Sequence, residues 1–194
     1  DSIKRKKRLN FMPGQSEQGS SLAADAYFRT SGKLGVILGT SGPGILNFLQ
    51  GMACSYFDSI PSLYIAGAPV SPHLRKNKLI RQIGFQEMEV LEMVKGITKY
   101  SKTILKVEDL EYEISKAIDI SFEGRMGPVL LEIPDDIQRS KVPGNKRIYK
   151  SKFKKKNINL SSKILASIKL LEKSKKPLIL IGNGVRLGKS EKMV

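Results

Sequence analysis

The sequence predicts an α/β fold: a parallel sheet with helices on both faces, followed by the start of a second α/β domain. Three observations predict it. Short runs of aliphatic and β-branched residues at 34–40, 62–66 and 129–133 alternate with stretches of helical period. The first run ends in Thr40-Ser41-Gly42-Pro43-Gly44, so strand, glycine turn and helix start follow one another. That is the layout that seats a ligand at the carboxyl end of a parallel strand. Residues 139–160 are Lys-rich, carry Pro143-Gly144 and show no apolar period, which separates a first domain (1–138) from the opening of a second (161–194).

Residues 8–12, Arg8-Leu-Asn-Phe-Met12, read as a short strand and Pro13-Gly14 as its turn. Ser16 is placed to cap a helix that runs to about Arg29, with Glu17 in its first turn. Leu22, Ala23, Ala26 and Tyr27 form an apolar stripe at helical spacing, and Ser31-Gly32 stops the helix. The 34–40 run predicts a strand buried on both faces, and Pro43 fits the start of a helix from Ile45 to about Phe57. Asp58-Ser-Ile-Pro61 breaks that helix before the 62–66 strand. A basic loop from Val70 to Gly84 holds His73, and 86–94 reads as helical. Residues 97–104 alternate as a strand, and Val107-Glu-Asp109 opens a helix with Leu110, Ile114, Ala117 and Ile118 on its apolar face. Gly127-Pro128 introduces the strand 129–133, ended by Pro134. Beyond the linker, 160–172 predicts a helix and 177–185 a strand ending in a glycine turn.

The net charge of +16 raises a nucleic-acid reading. Its placement argues against one. Nine of the 34 basic residues, from Arg139 to Lys156, fall in one acid-free segment, and Lys4 to Arg8 and Arg75 to Arg81 form two smaller clusters. Aromatics are 7% with no Trp, so there is no aromatic-basic interleaving to stack bases. No run approaches the ~18 apolar residues of a membrane helix, and the basic N-terminus lacks the apolar stretch of a signal peptide. The single Cys54 excludes an internal disulfide, fits a reducing compartment and reads as a small buried hydrophobe. A cytoplasmic protein follows.

Few residues stand out for chemistry. A carboxylate at Glu17 is favoured by its helix dipole. Glu87 and Glu89, two residues apart on a helix, point away from each other and make no dyad. His73 has no partner at metal-ligand spacing, and no metal site is expected in this chain. Asp135-Asp136 reads as a hinge or cap. Neither Gly-x-Gly-x-x-Gly nor Gly-x-x-x-x-Gly-Lys-Ser/Thr occurs, which counts against dinucleotide and Walker-type sites.

A run of motifs occurs in one order: Ser16-Glu-Gln-Gly19, Ala23-Ala-Asp-Ala-Tyr27, Gly32-Lys33, Thr40-Ser-Gly-Pro-Gly44 with Asn47, Asp58-Ser-Ile-Pro61, Phe85-Gln-Glu87, Ile97-Thr-Lys99, and Gly127-Pro-Val129 through Ile133-Pro134 to Gln138. Together they resemble the pyrimidine-binding domain of thiamine-diphosphate enzymes, in the acetolactate synthase-like branch. Residues 161–194 resemble the start of that family's central domain. The resemblance implies an internal piece of a longer protein, with the first strand and helix of the domain ahead of it. A third domain would hold the diphosphate through Mg²⁺ by a Gly-Asp-Gly…Asn motif that this chain does not contain. Whether FAD binds is left open.

The resemblance also implies roles. Glu17 would hydrogen-bond the pyrimidine N1′ of thiamine diphosphate and promote its imino tautomer, which makes it the catalytic residue. Thr40, Gly42, Pro43 and Gly44 would bring backbone against the cofactor, Asn47 would brace the loop, and Phe85 and Gln86 would reach its substrate side. The expected reaction is decarboxylation and carboligation of a 2-oxo acid, with pyruvate favoured. The site would form between subunits of a homodimer or homotetramer. Two departures stand out: Ser16 precedes the glutamate where many members carry His or Asn, and the 79–87 and 97–100 runs look closer to enzymes of surface-polysaccharide gene sets. The alternatives are a non-catalytic scaffold and a nucleic-acid-binding protein using 139–156.

Overall fold

The computed structural model describes residues 9–75, 79–144, 147–151 and 160–193. The Lys4 to Arg8 cluster, Arg8 of the first expected strand, two lysines of the 75–81 cluster and most of the linker lysines lie outside these residues. The chain forms two compact units, 1–151 and 152–194.

The first unit is built on four parallel strands in the order β1-β2-β4-β3: β1 Gly35–Gly39, β2 Ser62–Ala68, β3 Tyr100–Thr103 and β4 Pro128–Pro134. In the central pair Tyr64 sits beside Leu130 and Leu63 beside Val129. Alternate residues of these strands enter two separate cores, as the pleat requires. One core joins Ile37, Tyr64, Ala66 and Leu130 to Ala24, Ile45, Phe48, Met52, Val90 and Val94. These last come from α1 (Glu17–Ser31), α2 (Pro43–Leu46), α3 (Leu49–Phe57), the Phe48 joint and α4 (Val90–Val94). The other core joins Leu63, Val129, Leu131 and Ile133 to Ala117 of α5 (Leu110–Phe122) and Ile137 of α6 (Asp135–Arg139). Helices therefore cover both faces of the sheet. Phe48 and Tyr64 are fully buried, with ring centroids 5.5 Å apart, and anchor the first core. Each such side chain contributes roughly 1.5–3 kcal/mol.

Several local expectations change. Residues 9–12 form no strand, and Leu9, Phe11 and Met12 are exposed. Among the described residues β1 stands first in the strand order, and its Val36 and Leu38 are about half exposed. The buried face of α1 is Ser21, Ala24 and Asp25, set against α3 and β1, whereas Leu22, Ala23, Ala26 and Tyr27 are exposed. Close approach explains this inversion. A Cβ on Gly35 would lie 2.8 Å from the carbonyl carbon of Ala24, and one on Gly51 would lie 2.7 Å from that of Ser21. Only small side chains fit where backbone meets backbone.

The helix expected over 45–57 is two helices, α2 and α3, joined at Asn47 and Phe48. The 86–94 helix is confined to Val90–Val94. Cys54 is exposed, against the expectation of burial, because the inward positions of α3 are Gly51, Met52 and Ser55.

In the second unit α7 spans Ser161–Lys173 and α8 spans Asn183–Leu187. The strand expected over 177–185 is not formed: no described residue pairs with it, and Leu178 and Leu180 are over 90% exposed. A strand is defined by its neighbour's hydrogen bonds, so apolar β-branched residues alone do not make one.

Candidate functional site

The carboxyl ends of β1 and β2 deliver the chain into the loops of the site. Ahead of α1, Ser16 takes extended geometry and its hydroxyl accepts the Gly19 N–H at 3.1 Å. This fixes Glu17 as the first helical residue, where the dipole favours its charge. The other end of α1 is tied down by ions. Asp25, only 6% exposed, accepts from Ser55 Oγ of α3 at 2.8 Å and pairs with Arg29, which reaches on to Asp58 at 2.6 Å. Hydrogen bonds to both carboxylates raise the guanidinium's pKa. A buried carboxylate without that partner would be strongly destabilising, so this pair locks α1 onto α3.

After β1, Gly42 adopts φ 69° and ψ −132°, a conformation open to glycine and costly for any other residue. Pro43 then takes the first position of α2. Because α2 is one turn long, what faces the site is the backbone of the glycine turn rather than a long helix dipole. A Cβ on Gly44 would lie 2.8 Å from Thr40 Cγ2 and 3.4 Å from Glu17 Oε1. The missing side chain is what lets α2 come up to Glu17. Asn47, at the α2–α3 joint, donates from Nδ2 to Glu17 Oε2 at 3.1 Å. A carboxylate only accepts, so the amide nitrogen must face it. Glu17 Oε1 has no hydrogen-bond partner among the described residues and lies on the Gly44 side.

A second turn abuts the first. Gln86 has φ 54°, and its carbonyl oxygen and Cβ press on Gly42, where a Cβ would lie 2.8 Å from Gln86 Cβ. Phe85 beside it is 81% exposed. Glu17, Thr40, Gly44 and Asn47 thus form one group, and Gly42 links it to the Phe85–Gln86 turn. A cavity of about 270 Å³ opens beside this junction, lined by Gly42, Gln86, Ser71, Arg75, Met88 and Glu132 among others. Glu17 does not line it.

Residues set aside in the sequence acquire partners. Glu87 accepts the backbone N–H groups of Arg75, Ile83 and Gly84. Burial pushes its carboxyl pKa up, but these donors and the Arg75 charge outweigh burial and hold it below its ordinary value. Glu89 pairs with the Arg75 guanidinium, so the two glutamates share an arginine rather than a proton. Asp136 accepts the Ser71 N–H at 2.8 Å and its hydroxyl at 3.1 Å, which ties α6 to the 3₁₀ turn Ser71–His73. His73 is exposed at the end of a 3₁₀ turn. Glu132 escaped the sequence reading. It is 8% exposed on β4 and accepts from Thr103 Oγ1 at 2.6 Å. Burial raises its pKa, opposed by the Thr103 hydrogen bond and aided by the charges of Glu87 and Glu89. The signal was there: it is the one charge in an otherwise apolar strand.

No group of three or more His, Cys, Asp or Glu among the described residues could hold a metal ion. No described helix is long and apolar enough to cross a membrane.

A parallel sheet with a capped glutamate, a glycine turn and an asparagine brace at its carboxyl edge defines a cofactor-domain class, and the comparisons say which. Residues 1–93 match the family model described as the thiamine pyrophosphate enzyme, N-terminal TPP binding domain. Over those residues the chain resembles that domain, and over most of its length it is similar to acetolactate synthases. It is 34% identical over 185 residues to the chloroplastic acetolactate synthase of Arabidopsis thaliana, covering 90% of this chain and 26% of the relative. It is 33% identical over 174 residues to the large subunit of acetolactate synthase isozyme 2 of Escherichia coli (strain K12), covering 90% and 30%. A probable acetolactate synthase large subunit of Methanocaldococcus jannaschii is 34% identical over 184 residues, with 92% and 30% covered. The chain spans about a third or less of the length of these curated relatives.

Proposed function

We propose that this chain supplies the pyrimidine-binding side of a thiamine-diphosphate site in an acetolactate synthase-like enzyme. The substrate is a 2-oxo acid, pyruvate in the favoured case, and the reaction is decarboxylation followed by carboligation. The observation that carries the reading is the Glu17–Asn47 hydrogen bond with Gly44 brought against Glu17. The residues present fit the group: one carboxylate oxygen is held by Asn47, and the other has no hydrogen-bond partner among the described residues and lies toward Gly44, which has no side chain. That oxygen can exchange a proton with a weakly basic ring nitrogen, which an amide cannot do. Thiamine diphosphate supplies the electron sink when bound. Gly42 and Gly44 let backbone approach its ring, Thr40 and Pro43 shape the turn, and Gln86 with Phe85 lies toward the substrate side.

On this reading residues 1–138 are the pyrimidine domain, 139–160 a basic linker and 161–194 the start of a central domain. The diphosphate and its Mg²⁺ would be held outside this chain, in a homodimer or homotetramer with the site between subunits, acting in the cytoplasm. The similarity to acetolactate synthases supports the substrate class. The test is Glu17→Gln in the full-length protein, supplied with thiamine diphosphate, Mg²⁺ and pyruvate. Turnover should fall at least a hundredfold, within the range general acid–base groups contribute (about 10²–10⁴). Near-normal turnover would overturn the reading.

A further inference from the structure

Arg75, Ile83 and Gly84 are gathered by one side chain, that of Glu87. Glu87 Oε2 accepts the Ile83 N–H at 2.8 Å and the Gly84 N–H at 3.3 Å, while Oε1 accepts the Arg75 N–H. The Glu87 N–H in turn donates to the Gly84 carbonyl at 3.2 Å. The Arg75 guanidinium donates to the carbonyls of Ile80 at 2.8 Å and Arg81 at 3.2 Å while pairing with Glu89. Inside this clasp sits Gln86, a non-glycine residue at φ 54°. Such a conformation persists only where its surroundings over-determine it. The other wall is Gly42, whose own positive φ and missing Cβ leave room for the Gln86 carbonyl. Two left-handed turns therefore meet face to face, and one of them is held by Glu87.

We propose that Glu87 is a positioning residue: its carboxylate, by holding three backbone N–H groups, seats the Phe85–Gln86 turn against Gly42 and so sets the substrate side of the cofactor site. It acts through Gln86 and touches neither ligand. The inference rests on the functional reading above. It differs from a plain loop-stabilising role, which would lower stability and leave the site's affinity unchanged once folded.

Glutamine at position 87 keeps the size and one acceptor oxygen, but its NH₂ would face backbone donors, so one side of the clasp must release. Aspartate keeps both oxygens and the charge. The test uses the full-length protein as wild type, Glu87→Gln and Glu87→Asp. Hydrogen exchange of the Arg75, Ile83 and Gly84 amides is read without cofactor, thiamine diphosphate affinity by calorimetry, and kcat and KM on pyruvate. In Glu87→Gln those amides should exchange at least tenfold faster while strands β2 and β4 keep their protection. Thiamine diphosphate affinity or kcat should fall about tenfold or more, with partial recovery in Glu87→Asp. Unchanged amide protection in Glu87→Gln would show that the clasp does not hold the turn. Released amides with wild-type affinity, kcat and KM would reduce Glu87 to a loop anchor, and either result overturns the proposal. If the wild type itself bound no thiamine diphosphate, the functional reading would fail and the positioning role with it. Normal wild-type binding, with affinity, kcat and KM all matched by Glu87→Gln, would sink only the present inference.

Discussion

Asn47 Nδ2 lies 3.1 Å from Glu17 Oε2, joining the first residue of α1 to the joint between α2 and α3 across thirty positions of sequence. This contact orients the carboxylate so that its second oxygen faces the Gly44 backbone.

Removing the brace separates orientation from charge. Asn47→Ala in the full-length protein forfeits a hydrogen bond to a charged group, about 1.5–3 kcal/mol, so turnover should fall roughly tenfold to a hundredfold. Asn47→Asp instead puts a second carboxylate at the same distance. Like charges so close raise the pKa of one partner, and the acid limb of its pH–rate profile should move to higher pH than in Asn47→Ala. Steady-state rates over pH 5–9 check both, and identical profiles for the two variants would count against the geometry.

The two glycines of the turn should respond differently. Gly42→Ala forces a side chain into a positive φ and onto Gln86, so thermal unfolding should show a loss of about 1–3 kcal/mol. Gly44→Ala meets only the Thr40 methyl at 2.8 Å and Glu17 at 3.4 Å. Its melting point should stay closer to wild type while thiamine diphosphate affinity falls, because the methyl occupies the approach to Glu17. Equal stability losses with unchanged affinity would show that Gly44 serves packing alone.

Glu132 supplies a pH signature. Its folded pKa is raised, first by burial. The folded state therefore binds its proton more tightly than the unfolded state, and stability falls as pH rises from the ordinary carboxylate value of 4.5 through the folded value. Glu132→Gln removes that titration and keeps an acceptor for Thr103. It should be more stable than wild type at pH 7, with the gain vanishing below about pH 4. Denaturant unfolding at pH 7 and pH 4 checks this, and a gain independent of pH would contradict it.

Much of the site was readable in the sequence. Ser16 and Glu17 announce a capped helix start by residue type alone, since only a short polar side chain satisfies the first free N–H groups. The Thr40–Gly44 turn is equally local. Asn47 is expected to brace the glycine turn, and the structure gives it Glu17 as a partner thirty positions away. Glu87 is not legible because its role depends on the positive-φ turn at Gln86, where the sequence pattern reads as helix. Glu132 was passed over within an apolar run that promised only core.

The amino-acid sequence by itself determined the alternation of strands and helices, the parallel sheet and the placement of a carboxylate at a helix start, because periodicity, capping and glycine punctuation act within a few residues. Tertiary structure alone decided two things: that α1 buries Ser21, Ala24 and Asp25 instead of its apolar stripe, and that Gln86 leans on Gly42. Each depends on how closely two backbones approach, and that distance is set by residues far apart in the chain.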